Sequence, residues 1–275
     1  MDHPLNAPAL LRQYGLRPKK SLGQNFLVDP AALQRVVNAG GVGEGDSVLE
    51  IGAGLGSLTR LLAAQSGRVV AVEIDERLIP PLRQVLTPFE NVTIIQADIL
   101  DLDPADLFDS PYLVIANIPY YITSAIIRRL LESERPPSRL VLTVQREVAR
   151  RICAEGGGMS LLALSVQVYG KPSVAARIPA AAFYPAPKVD SAVVRVDLYP
   201  QPRIPAEGLD TFFRLAKAGF RQRRKMLRNA LPAGMGWPKA RADALLLAAG
   251  IDPQRRAETL NLEEWGALVI RTNML

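Results

Sequence analysis

Apolar residues alternate between two textures from residue 47 to about residue 157. Short runs rich in β-branched residues or leucine, at Ser47–Ile51, Arg68–Ile74, Val92–Ala97, Tyr112–Ala116 and Arg139–Val144, predict buried strands. Between them, Ser57–Gln65, Glu76–Leu86, Ser124–Glu132 and Glu147–Ala154 space their apolar residues as helices do. Strand and helix in alternation predict an α/β fold with a parallel sheet covered on both faces. Beyond residue 157 the texture changes. Val174–Ile178 and Ser191–Leu198 read as further strands around the proline-rich Phe183–Lys188, and Pro200, Pro202 and Pro205 mark a linker. After it, Leu209–Leu231, Pro238–Ala249 and Leu262–Thr272 are helical in pattern, so the boundary between a larger domain (1–200) and a smaller helical one (201–275) is expected near residue 200.

Composition narrows the chemistry more than the fold. The 275 residues are 48% hydrophobic and 22% charged, enough apolar material for an ordinary folded core. A single cysteine, Cys153, excludes an internal disulfide framework and thiolate clusters for metal, and fits a reducing compartment. A single histidine, His3, removes histidine-centred triads and multi-histidine metal sites. The longest apolar runs fall short of the roughly 18 to 20 residues of a membrane span, and no secretory signal is read, so a cytoplasmic location is expected. Nothing calls for a metal or an oligomer, and a monomer is expected.

The net charge of +6 conceals a division. Residues 41–110 carry 4 basic and 12 acidic groups, a net −8, whereas residues 111–275 are net +11. That pattern suits a polyanion-binding surface beside a site that avoids anions, although an arginine-rich solvated surface would give the same totals.

Val48-Leu49-Glu50-Ile51-Gly52-Ala53-Gly54-Leu55-Gly56 reads as a strand, a glycine-rich turn and a helix start. A dinucleotide fingerprint would place its third glycine at position 57, which is Ser57. The Gly-x-Gly-x-Gly spacing instead resembles the first motif of the S-adenosylmethionine (SAM) dependent methyltransferases. Glu73 ends the second strand, where a carboxylate can accept ribose hydroxyls, and Asp98 follows the third, where it can accept from an adenine amine. An acidic lining suits a cofactor that is cationic at sulfur. The bland alternative at each place is a tight strand-to-helix turn.

The fourth strand runs into Asn117-Ile118-Pro119-Tyr120, which resembles the Asn-Leu/Ile-Pro-Tyr motif of the rRNA adenine N6 dimethyltransferases. The chemistry accounts for these residue types. An adenine amine is a weak nucleophile because its lone pair is delocalised, so acceptors must hold its hydrogens and turn the lone pair toward the methyl group. The Asn117 side-chain oxygen and a carbonyl of Ile118 or Pro119 can do this while the Tyr120 ring packs on the base. No strong general base is required, since the proton leaves after the nitrogen has become cationic.

With these motifs the chain is identified as resembling the KsgA-type small-subunit rRNA adenine N6,N6-dimethyltransferase family along nearly its whole length. Leu22-Gly23-Gln24-Asn25-Phe26-Leu27 matches that family's Gly-Gln-Asn/His-Phe-Leu motif. The resemblance implies a Rossmann-like methyltransferase sheet in 1–200, a helical RNA-binding part in 201–275, and SAM held by Gln24, Asn25, Leu27, Gly52, Gly54, Glu73, Ile74, Asp98, Ile99 and Asn117. Phe183-Tyr184-Pro185-Ala186-Pro187-Lys188-Val189-Asp190-Ser191 matches the family's Phe-x-Pro-x-Pro-Lys-Val-Asp-Ser motif, implying that Phe183 stacks on the adenine opposite Tyr120. Phe220 to Asn229 matches a basic helix of the family, implying phosphate contacts by Arg221, Arg223, Arg224, Lys225 and Arg228.

The resemblance implies transfer of two methyl groups to each of two adjacent adenines in the 3′-terminal hairpin loop of small-subunit rRNA, within a pre-30S particle. Two rivals share much of this pattern: the macrolide-resistance type of large-subunit rRNA dimethyltransferase, and a ribosome-assembly or RNA-binding factor on the same fold in which catalysis is secondary. Arg223 to Asn229 and the Lys188-Val189-Asp190-Ser191 form of the proline motif favour the small-subunit class.

Overall fold

The computed structural model of the chain describes residues 5–274 apart from the side chain of Tyr121; His3 lies outside the described residues. Two compact units are formed, one from the chain up to Ala149 together with Ser173–Leu198, the other from Arg150–Pro172 and Tyr199 onward.

The chain opens with α1 (Ala7–Gln13) and a two-residue strand β1 (Phe26–Leu27). Next comes α2 (Pro30–Gly40), where Pro30 occupies the first turn and the Asp29 side chain accepts from the Ala32 N–H at 2.7 Å. Strands and helices then alternate as β2 (Ser47–Ile51), α3 (Ser57–Ala63), β3 (Arg68–Glu73), α4 (Ile79–Leu86), β4 (Val92–Gln96), β5 (Tyr112–Asn117), α5 (Thr123–Leu131), β6 (Arg139–Gln145) and α6 (Arg146–Ile152). After α7 (Leu161–Gln167) come β7 (Gly170–Ile178), β8 (Phe183–Tyr184) and β9 (Ser191–Leu198).

Seven strands form one sheet in the order β4-β3-β2-β5-β6-β9-β7. β2, β3, β4, β5 and β6 pair in parallel. Every residue of β2 after Ser47 is buried, as is every residue of β3 after Arg68, so both faces of the central sheet are covered. The parallel sheet expected from the alternating region is extended by β9, which runs antiparallel to β6, with Ser191 opposite Gln145 and Asp197 opposite Arg139. A strand buried on both faces has the same residue pattern in either direction, so periodicity could not show this. A separate ladder of two residues joins β1 to β8, pairing Phe26 with Tyr184 and Leu27 with Phe183.

The second unit is helical: α7 joins α8 (Ala206–Arg221), α9 (Leu227–Met235), α10 (Lys239–Ala248) and α11 (Leu262–Asn273). Its core holds Met159, Leu164, Val168, Phe212, Leu215, Leu231, Leu245, Trp265 and Leu268. The division at residue 200 therefore describes only the last chain crossing. Arg150–Pro172 joins the helical unit because Met159, Ala163, Leu164 and Val168 bury their side chains in that core.

The helix expected over Leu209–Leu231 is two helices with a turn at 222–226. Met226 forms an isolated bridge with Arg256, and the Leu227 N–H donates to the Arg255 carbonyl at 2.8 Å. These contacts from a distant segment replace helical hydrogen bonds, and no glycine or proline marks the break in the sequence. Among the described residues no helix is long and apolar enough to cross a membrane.

Candidate functional site

Four parallel strands end side by side, and their carboxyl ends deliver the chemistry. β2 passes into Gly52-Ala53-Gly54 before α3, β3 ends on Glu73, β4 is followed by Asp98, and β5 ends on Asn117. Gly52 and Gly54 have φ of +75° and +59°, which only glycine adopts without strain, and a Cβ on Gly54 would stand 3.0 Å from the Phe26 ring. The turn folds tightly enough for its Gly54 N–H to reach a carboxylate of the next strand.

That carboxylate is Glu73. It is 4% exposed, and its two oxygens accept from the Gly54 N–H at 2.7 Å and the Asp75 N–H at 2.8 Å. Burial raises its pKa, while those N–H groups and that of Ile74 oppose the shift. Asp98 is half-buried and accepts from the Leu100 N–H at 2.9 Å. One cleft is lined by Gln24, Asn25, Gly52, Gly54, Glu73, Ile74, Asp98, Ile99, Asn117 and Tyr120, which gathers the sequence-predicted cofactor residues except Leu27. Leu27 is 3% exposed and packs in a cluster with Val36, Leu58 and Phe183, so it underlies the cleft wall without facing it.

Asn117 is fixed by the segment that leads into β1. Its Nδ2 donates to the Asn25 carbonyl at 3.0 Å. A carbonyl can only accept, so the amide must present its nitrogen there, and Oδ1 is left to accept from another molecule. Asn25 is held by its own Nδ2 donating to the Gly23 carbonyl at 3.0 Å. The Pro119 carbonyl accepts from the Ile122 N–H at 3.3 Å, which favours the Ile118 carbonyl as the second acceptor for an amine. The Tyr120 hydroxyl lies 2.6 Å from the buried Ser191 Oγ, which sets the ring's direction. Burial raises the Tyr120 pKa, and Ser191 partly offsets this.

The structure does not bring Phe183 to the cleft. Its ring is 4% exposed and lies in the cluster that holds Leu27, Ile178 and Ala182; the exposed ring of the pair is Tyr184. In this structure Phe183 packs in that cluster and does not line the cleft, because alternation along β8 turns Phe183 inward when Tyr184 faces out. The basic segment is also revised. Arg221, Gln222, Arg223, Arg224 and Lys225 are exposed, on the last residue of α8 and the turn after it. Arg228, expected on the same helical face, sits in the first turn of α9 and pairs with Asp243 at 2.8 Å.

Sequence reasoning missed two acidic groups. Asp75 has a fully buried side chain that accepts from Gln24 Nε2 at 2.8 Å, Lys19 Nζ at 3.2 Å and the Arg77 guanidinium at 2.7 and 2.9 Å. The Arg77 hydrogen bonds, with help from Gln24 and Lys19, hold its pKa well below the usual carboxylate range. Asp75 lies two residues beyond the end of β3, and its partners Lys19 and Gln24 are more than fifty residues away in the chain, so local spacing carried no signal for it. Glu50 is 1% exposed behind the glycine turn, and burial pushes its pKa up to about 8, with Thr59 lowering and Glu73 adding to the shift. Glu50 Oε2, Ser57 Oγ and Thr59 Oγ1 are buried without hydrogen-bond partners.

The cleft fits the cofactor that the glycine turn implies. Glu73 and Asp98 suit hydroxyl and amine donors, while Val72, Ile74, Leu78 and Ile99 supply apolar walls for a flat ring.

The sequence profile described as ribosomal RNA adenine dimethylase matches residues 15–273. A protein of Dehalococcoides mccartyi named ribosomal RNA small subunit methyltransferase A is 46% identical over 98% of this chain and 97% of its own length. One of the same name from Moorella thermoacetica is 43% identical, covering 94% of each. Among solved structures, the 23S rRNA methyltransferase ErmE is similar with a TM-score of 0.74 and 28% identity, covering 90% of this chain and all of that one. A dimethyladenosine transferase from Plasmodium falciparum superposes with a TM-score of 0.78 at 24% identity, covering 90% and 98%, which bears on the fold alone.

Proposed function

The chain belongs to the ribosomal RNA adenine dimethylase family, and from that premise we propose that Asn117 and Tyr120 present adenine N6 to the methyl donor. The protein is an rRNA adenine dimethyltransferase of the small-subunit class, and its cofactor is SAM. When bound, SAM supplies an electrophilic methyl group on a sulfonium. Glu73 holds the ribose hydroxyls, Asp98 the adenine amine of the cofactor, and Ile74 and Ile99 flank its ring. Asn117 Oδ1 and the Ile118 carbonyl accept the two hydrogens of the target amine, so that its lone pair faces the methyl group. Tyr120 packs against the base that has left its stack. As the N–C bond forms, the donor's S–CH3 bond would break and the sulfonium leave as a neutral thioether; the proton departs to solvent from the cationic nitrogen, and a second cycle with a fresh SAM completes the dimethyl product.

The observation that carries this reading is the 3.0 Å hydrogen bond from Asn117 to the Asn25 carbonyl, which leaves the amide oxygen available to an amine. The targets are two adjacent adenines of the 3′-terminal hairpin loop, presented in a pre-30S particle in the cytoplasm, and the enzyme acts as a monomer. Arg221, Arg223, Arg224 and Lys225 contact phosphates.

Labelled SAM supplied with unmethylated small subunits, large subunits and duplex DNA, followed by mapping of the modified base, tests the substrate. Label is expected at paired N6,N6-dimethyladenines of small-subunit RNA. Label confined to large-subunit RNA or DNA overturns the assignment, and wild-type methyl transfer by Asn117→Ala with cofactor binding intact overturns the role of Asn117.

A further inference from the structure

We infer that Asp75 is a positioning residue for methyl transfer: it clamps the 19–25 segment so that the Asn25 carbonyl holds the Asn117 amide the right way round. This rests on the reading of Asn117 given above. The clamp is continuous in hydrogen bonds. Asp75 Oδ2 accepts from Gln24 Nε2 at 2.8 Å, and Gln24 Oε1 accepts from the Lys19 N–H at 2.7 Å, so one end of the Gln24 amide is engaged by Asp75 and the other within the segment. Lys19 Nζ returns to Asp75 Oδ1 at 3.2 Å. Asn25 follows Gln24 directly, and its carbonyl receives Asn117 Nδ2. On its other side, the Asp75 N–H donates to Glu73 Oε1 at 2.8 Å, so one residue ties the segment to the carboxylate at the end of β3.

The function of such a clamp is orientational. An Asn amide released from its acceptor can rotate half a turn and offer N–H groups to an amine that needs acceptors. One net hydrogen bond biases that choice by roughly two- to tenfold. Asp75 is suited to the task because its side chain is fully buried, where a charge-assisted hydrogen bond is short and directional. Gln24 accordingly serves this clamp with both its polar ends.

The test compares Asp75→Asn, Gln24→Leu and the double variant in full-length protein, with unmethylated small subunits and SAM at saturation. Single-turnover rates, SAM affinity and thermal melting are measured together. Each single variant is expected to slow methyl transfer about twofold at saturating SAM, since an amide without that bias still spends half its time the right way round, and the double variant no more than either alone, because both break one clamp. A double variant slowed by the product of the two factors overturns the proposal, as does an unchanged rate in a Gln24→Leu protein that folds. If Asp75→Asn does not fold, Gln24→Leu and Lys19→Met carry the test, with the same slowing of about twofold expected and an unchanged rate overturning it. Asn117→Ala, run in parallel, separates the two claims: a wild-type rate there refutes the reading of Asn117 itself, whereas slow Asn117→Ala with unaffected clamp variants refutes only the clamp.

Discussion

The cleft at the strand ends and the basic turn at 221–225 solve opposite problems with charge. At and behind the cleft, Glu73, Asp75 and Glu50 are buried; Glu73 is engaged by backbone N–H groups and Asp75 by cations. At the turn, Arg221, Arg223, Arg224 and Lys225 stand in solvent with their guanidinium and ammonium groups outward. A small cofactor is selected by a few fixed donors and acceptors, so those groups must be ordered beforehand. A polyanion is gathered by a field, and cations that are already paired add little to it. Arg228 marks the border between the two uses, since Asp243 has already claimed it.

Substitutions can break this comparison, beginning where burial is deepest. Phe183→Ala is expected to lower stability by about 3–5 kcal/mol, the usual result for a buried aromatic ring. Chemical denaturation measures it; an unchanged midpoint with slower RNA-dependent turnover would restore the stacking role and move Phe183 to the exposed class. Glu73→Gln comes next, because it turns an amide N–H against the Gly54 or Asp75 N–H. Calorimetric SAM affinity is expected to fall about tenfold to a hundredfold, in line with about 1.5–3 kcal/mol for hydrogen bonds to a charged group.

The basic turn then provides a matched pair. Arg224→Ala should weaken RNA binding evenly across sequences and reduce the slope of log affinity against log salt by about 1. Arg228→Ala should leave that slope alone and lower the melting temperature. Equal slopes for the two variants would erase the distinction between free and paired cations.

The subtlest effect concerns Glu50. Burial raises its pKa from 4.5 to about 8, so the folded state prefers the protonated acid. Its contribution is complete below pH 4.5 and is lost as pH rises through about 8. Glu50→Gln should therefore flatten the decline of melting temperature over that interval, and an identical decline in both proteins would place the titration elsewhere.

The same contrast between buried and exposed explains what could be read from residues alone. β2, β3, β5 and β6 were legible because runs such as Val69-Val70-Ala71-Val72 bury both faces and admit little else. The glycine turn and Asn117 were legible because their residue types are dictated by backbone angle or by chemistry. α2 was passed over although Asp29-Pro30 announces its start, and the β1–β8 ladder has too few residues for any periodicity. Arg228 looked equivalent to Arg224 until Asp243, fifteen residues away, was placed beside it. Gln24 lines the cleft as expected, but its hydrogen bond to Asp75, fifty-one residues distant, could not be read from local spacing. Partnerships between distant side chains leave no mark on local spacing.

The excursion of Arg150–Pro172 into the helical unit makes that unit discontinuous in the chain. A stop codon after Leu198 would not release a tidy catalytic fragment: Met159, Leu164 and Val168 would remain behind without Phe212, Leu215 and Trp265 to cover them. Nor can the helical unit be exchanged between homologues by a single crossover, since its two pieces lie on either side of β7 through β9. Any recombination that gives this enzyme a new helical unit must carry both pieces, or rebuild the face that α7 presents to the rest of that unit's core.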